Sequence, residues 1–333
     1  MTAPSQSFRR LAFWTGVATL VLILVGGIVR VSESGLGCGP AGSGLQGWPF
    51  CNGDLVPGLE LNAIIEYSHR LLGSIVGLMM LALAIWTIRS YRANRNLVKA
   101  SCAAFVLVVA QGLLGALTVE LNLGAGLVAA HLGLAMILLA LIAYIWRSSR
   151  GDVIGSGAVN GGPNFKAVAG LAQIGLFLTI VAGGFMAGTQ KFGRTDFQLG
   201  DGAHHACGTE FPACNGAFMP FGQAPLVDIH LTHRFFLYVT TALIVWLVVM
   251  ALRRRPSPRI VRMAWVALGI LVLQLLIGAL NVWIAEIYEV LIVAHLLLAT
   301  LLWGHLFGIN LQLYRVPEPR PVRGRMRAAE ANA

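Results

Sequence analysis

Eight predominantly apolar runs, each of roughly 20 residues or more, succeed one another near 11–30, 62–87, 99–119, 124–146, 167–188, 228–251, 260–282 and 290–312. A run of about 20 apolar residues is long enough to cross the hydrocarbon core as a helix. In lipid a spanning segment must satisfy its own backbone hydrogen bonds, which a helix does alone. The expected fold is therefore an all-α integral membrane protein with eight transmembrane helices. Composition agrees, because only 11% of the 333 residues are charged where a soluble chain carries about a quarter. The net charge of +10 falls in short clusters between apolar runs. It marks neither nucleic-acid binding nor a basic domain. The first run follows Arg9 and Arg10 as in a signal peptide. Its apolar stretch is too long for one and lacks a small-residue cleavage site, so it is read as a retained span.

The basic residues orient the chain. Nineteen of the 24 Lys and Arg lie before residue 11 or within 89–99, 147–166, 253–262 and 315–327. With eight spans, all these segments share one side. The positive-inside rule predicts that both termini are cytoplasmic in a multi-pass cell-membrane protein. Two long loops, about 31–61 and 189–227, then face outward. The tail over 314–333 has no apolar period and is expected to be a disordered cytoplasmic end.

The chain also repeats itself. Gly26-Gly27 is matched by Gly183-Gly184, and Trp48–Gly53 (WPFCNG) by Phe211–Gly216 (FPACNG). His69-Arg70 is matched by His233-Arg234, Gln111–Val119 by Gln274–Val282, and Ala130-His131-Leu132 by Ala294-His295-Leu296. After the first pair the offset holds at 163 or 164 residues. The expected architecture is two four-helix bundles, 1–150 and 151–313, related by a pseudo-twofold axis along the membrane normal.

Four of the eight histidines fall at repeat-matched places. His69, His131, His233 and His295 lie near the outer ends of the second, fourth, sixth and eighth spans, roughly 10 Å in at 1.5 Å per residue. Each half thus offers two imidazoles at one depth on parallel helices, an arrangement suited to clamping a metallocentre. A flat macrocycle with one axial ligand per face fits two histidines, so haem iron is the expected metal. Zinc would need three or four ligands at one point. His230 competes with His233 as ligand, but the repeated His-Arg pair favours His233. His204 and His205 are expected in solvent, and His305 to be structural. Arg70 and Arg234 are candidates for pairing with haem propionates, or else snorkel to the interface. The paired glycines, with Gly112 and Gly115, read as close-packing sites. Gln111 and Gln274 read as amides that bond across helices.

Cys38 and Cys51 share the first outer loop, and Cys207 and Cys214 the second. On the oxidising side these are expected to form within-loop disulfides. Stapling a lid over each site and redox exchange with a partner are both open roles. Cys102 lies in a span and reads as packing. Glu66 is a functional suspect because it is an ionisable residue inside a span. It stands three residues before His69, where the second half has His230, so both share a helix face with the histidine that follows.

In combination, Glu66-Tyr67-Ser68-His69-Arg70, His131, His233-Arg234, His295 and the paired loop cysteines resemble the haem A synthase family, from Gly26 to about His305. The resemblance implies an oxidoreductase that converts a methyl group of haem O to the formyl group of haem A for terminal oxidase assembly. It implies haem O between His69 and His131, a haem b cofactor between His233 and His295, and a functional role for Glu66. The expected partners are haem O, a haem O synthase, an electron acceptor and the lipid membrane; self-association is left open. One departure stands out: twelve residues separate Cys38 from Cys51, but only six separate Cys207 from Cys214. A dihaem electron-transfer protein of the cytochrome b kind would also use two bis-histidine pairs, but it leaves Glu66 and the cysteine loops without a role. A transporter would place its site nearer mid-membrane.

Overall fold

The computed structural model describes residues 4–150, 162–189, 202–284 and 287–313. The expected disordered tail over 314–333 and the boundary near residue 151 lie outside these. Among the described residues the regular structure is helical, with eight helices long and apolar enough to cross a membrane. They are α1 (Gln6–Val31), α2 (Leu61–Ser90), α3 (Arg95–Glu120), α4 (Ala125–Ser148), α5 (Gly162–Gly188), α6 (Pro225–Arg254), α7 (Pro258–Trp283) and α8 (Tyr288–Leu313). They extend the eight apolar runs mostly by a few residues at one or both ends, because polar residues complete the terminal turns. Ser5, Asn94 and Ser257 accept the backbone N–H of Phe8, Leu97 and Ile260, satisfying donors that a first turn leaves open. Pro225 and Pro258 open α6 and α7, where a missing N–H costs nothing.

Helices α1 to α4 pack in a closed circuit, each against its neighbour and α4 against α1, and α5 to α8 do the same. Between the circuits α4 meets α5 and α8, and α1 meets α8. The contacts there come in reciprocal pairs. Gly27 of α1 faces Leu296 of α8, and Gly184 of α5 faces Leu132 of α4, a pair exchanged by the repeat offset. One buried cluster lies wholly within α1 to α4, around Phe8, Met80, Leu83 and Ile142. A second fills α5 to α8 and takes in Ile23 and Met136 from the first circuit. Trp303 of α8 crosses the seam to donate its indole N–H to the Met136 carbonyl, 2.8 Å away. Large apolar side chains such as Leu78, Val106 and Trp246 point outward, as a surface bathed in lipid requires.

Candidate functional site

The two loops leading into α2 and α6 are built alike. Cys38–Cys51 and Cys207–Cys214 are disulfides, as the sequence leads one to expect, despite their unequal spacing. Each loop ends in an Asn-Gly turn in which both residues take positive φ: Asn52 and Gly53, Asn215 and Gly216. That backbone suits a two-residue turn and favours Asn and Gly. The second cysteine's N–H closes each turn, bonding Asp54 O and Ala217 O at 2.8 Å.

Both loops are held by the arginine that follows the site histidine. Arg70 donates to the carbonyls of Gly47 (2.6 Å) and Phe50 (3.0 Å). Arg234, 2% exposed, donates to Ala213 (2.7 Å), Pro212 (3.4 Å) and Glu210 (2.8 Å) carbonyls and lies over the Phe211 ring. The residue three places before each histidine then differs between halves. Glu66 is 3% exposed. One of its oxygens accepts the Cys38 N–H at 2.8 Å and the other accepts from Arg70 at 2.5 Å. His230 is also buried, but its Nδ1–H donates to the Ala203 carbonyl at 2.8 Å. The acidic position is thus an acceptor locked to a disulfide loop, and its counterpart is a donor.

The four matched histidines enter from the loop side, at the seventh to ninth residue of α2, α4, α6 and α8. His69 lies close enough to His131 to interact with it electrostatically, and His295 with His233, so each half brings its own pair together. Every ring rests on a glycine of a neighbouring helix. A β-carbon at Gly26, Gly183 or Gly278 would lie 3.0, 3.0 or 3.1 Å from Cε1 of His69, His233 or His295, and one at Gly115 would lie 3.5 Å from Cε1 of His131. Sequence reasoning placed three of these glycines among general packing sites, and Gly278 within a repeated stretch without a role. Their partner is specific: the imidazole.

The ring nitrogens test the fit to haem. His233 Nδ1 donates to the Thr179 carbonyl at 2.9 Å, which fixes the tautomer and leaves Nε2 as a lone-pair donor, as iron ligation requires. Nδ1 of His131 and His295 is buried with no hydrogen-bond partner among the described residues, and His69 lies against the Leu22 backbone. Buried polar atoms normally have a partner, so a ligand would complete the surroundings of these two rings. A pair of buried imidazoles per half suits a bis-histidine haem. Among the described residues no group of three or more His, Cys, Asp or Glu could hold a bare metal ion.

Other polar residues settle into supporting roles. The Gln111 amide donates across to the His131 carbonyl at 2.9 Å, and His305 bonds the Met263 carbonyl at 2.8 Å. His204 and His205 depart from the expected solvated loop. They are half-buried, with ring centroids 4.0 Å apart. Burial, the neighbouring His205 ring and Arg30 hold His204 well below the usual imidazole range. Arg30 braces this region, donating from α1 to the Ala187 carbonyl of α5 at 2.7 and 3.2 Å. The signal in the sequence was an arginine ending a span, without a counterpart in the repeat.

Known proteins resemble the chain along most of its length. A family model described as cytochrome oxidase assembly protein, COX15-CtaA, matches residues 9–307. The chain is 30% identical over 257 residues to a protein named heme A synthase from Halalkalibacterium halodurans, covering 74% of this chain and 76% of that one. It is likewise 30% identical over 243 residues to the heme A synthase of Alkalihalophilus pseudofirmus, covering 71% and 72%. A third, from Bacillus licheniformis, is 34% identical over 138 residues, 41% of this chain and 44% of that one. The chain belongs to the COX15-CtaA family of cytochrome oxidase assembly proteins.

Proposed function

We propose that this protein is a haem A synthase, an oxidoreductase that converts a methyl group of haem O to the formyl group of haem A. The single observation that carries the reading is the unequal pair of sites. Each half has a histidine pair on glycines beneath a disulfide loop, but among the described residues only the first has a buried carboxylate three places before a site histidine, where the second has His230. In this reading residues 1–150 form the substrate half, with His69 and His131 holding haem O, and residues 151–313 the cofactor half, with His233 and His295 holding haem b. The two halves are pseudo-twofold bundles, and the reciprocal seam contacts support this.

Haem held by the histidine pairs would supply the redox chemistry. The oxidation of R–CH3 with water to R–CHO releases four electrons and four protons, with water as the oxygen source. The electrons leave to an acceptor and the protons need a base. Glu66 is the base or the group that orients water at the substrate's edge. Arg70 and the Cys38 N–H hold its two oxygens, and Arg70 ties the same carboxylate to the loop above. His230, donating to a loop carbonyl, serves the cofactor half as a brace. The protein sits in the cell membrane with both termini in the cytoplasm, receives haem O from a haem O synthase, and associates with an electron acceptor.

The test is the pigment extracted from protein purified from cells that make haem O. Haem O or haem A beside haem b is expected. Haem b alone in both halves would make the protein a dihaem electron carrier instead.

A further inference from the structure

At the end of the molecule remote from the disulfide loops, α1 and α4 diverge around a groove of about 310 Å³ lined by Gln6, Arg9, Arg10, Phe13, Trp146 and Arg150. Its wall is built from successive turns of each helix: residues 6, 9, 10 and 13 of α1, and Trp146 with Arg150 a turn later at the close of α4. The Phe13 and Trp146 rings lie 5.8 Å apart, and the Arg150 guanidinium stands 5.1 Å over the Trp146 ring. Arg9 Nε is buried without a hydrogen-bond partner among the described residues. Among the described residues no carboxylate lines the groove. The Arg150 guanidinium over the Trp146 ring, with Arg9 and Arg10 lining the same groove, stands at the end of two spanning helices, where phosphate head groups meet a membrane.

Orienting the chain does not require this arrangement, and the repeat supplies the comparison. At the offsets linking Gly26 to Gly183 and His131 to His295, the places of Arg9, Arg10, Phe13 and Trp146 fall to Lys166, Ala167, Gly170 and Asn310. There Asn310 donates to the Ala169 carbonyl at 3.2 Å and α5 packs on α8. At these four places the second half keeps one basic residue, Lys166, enough to bias insertion, and has neither the arginine pair nor the Phe-Trp pair.

The geometry points to a binding site for a phosphate group at the α1–α4 groove, supplied by an anionic phospholipid. Guanidinium forks match phosphate oxygens, and the Phe13 and Trp146 rings offer apolar surface to the glycerol and upper acyl carbons, which a free phosphate lacks. The site is independent of the haem pairs, which lie near the opposite ends of the helices.

The experiment is native mass spectrometry of the haem-loaded protein in neutral detergent, titrated with phosphatidylglycerol, with phosphatidylcholine of the same chains, or with inorganic phosphate. The wild type retains phosphatidylglycerol and releases phosphatidylcholine. Arg9→Gln/Arg10→Gln/Arg150→Gln weakens retention on the order of fivefold per guanidinium removed. The corresponding Lys triple variant retains more than the Gln variant, and Lys166→Gln binds like the wild type. The haem spectrum stays unchanged in all, which separates lipid loss from misfolding. Equal retention by the Gln variant, or equal binding of phosphatidylcholine, overturns the site. Displacement of phosphatidylglycerol by equimolar inorganic phosphate overturns the lipid assignment and makes this a free-phosphate site.

Discussion

Glu66 and His230 stand at the same place in the repeat with opposite hydrogen-bonding roles, and the proposed division of labour between halves turns on that exchange. Replacing Glu66 by Gln keeps the side chain's shape, and its amide oxygen still accepts one bond. The charge facing Arg70 is lost, and with it the ability to accept a proton. Glu66→Gln should leave the haem content of both sites unchanged and lower conversion of haem O to haem A by roughly 10²- to 10⁴-fold, the usual worth of a general base. Haem extraction and chromatography read both quantities at once. His230→Gln should retain conversion to a much greater degree. The opposite result, with full haem occupancy, would move the chemistry to the second half. Glu66 was legible in the sequence because ionisable residues are rare in spans, and the histidine pairs and the cysteines because the repeat marks them twice. The Cys38 N–H partner of Glu66 was not legible. It depends on how an irregular loop folds back over a helix, and residue spacing does not encode that.

At the scale of helices, the informative contacts are those between imidazole and glycine. The helices are strongly apolar around their circumference, so composition does not say which face turns inward. Residue order alone gave the glycines but not what they face. Their spacing to the rings now grades a set of substitutions. A methyl at Gly26, Gly183 or Gly278 enters within 3.1 Å of an imidazole carbon, and one at Gly115 only within 3.5 Å, an ordinary van der Waals contact. Gly183→Ala and Gly278→Ala should tilt their rings off a preferred rotamer, at a cost of about 0.5–1.5 kcal/mol each, and shift or weaken the low-spin spectrum of the haem in the second half. Gly26→Ala should do the same at the proposed substrate site, and Gly115→Ala should have the smallest effect. Gly112 faces open space in the same helix. Gly112→Ala should leave both spectra unchanged and raise thermal stability slightly, because alanine is the better helix former by about 0.5–1 kcal/mol. Equal spectra for all five variants would mean that the glycines do not set ring position.

For the molecule as a whole, the question is whether the two circuits form one body, and the seam between α4 and α5 answers it most sharply. Near the outer end of that seam Gly188 lies so close to Ala125 that a β-carbon would come within 2.6 Å of its Cα. Backbone cannot yield as a long side chain can. The same addition at Gly27 meets only the tip of Leu296, which can rotate away. One residue from Gly188, Arg30 grips the Ala187 carbonyl from α1, so a shift of α5 there also strains a contact to the first half. Gly188→Ala should therefore destabilise the protein by about 1–3 kcal/mol, as overpacking of a tight contact does, and Gly27→Ala by less. Both halves should still bind haem, because neither glycine touches a proposed ligand histidine. Thermal melting followed separately at the two haem bands distinguishes the cases. A single lowered transition at both bands is expected if the seam couples the halves. Two transitions, with only one of them lowered, would show that the halves unfold independently and that the reciprocal packing of Gly27 on Leu296 and Gly184 on Leu132 does not join them energetically.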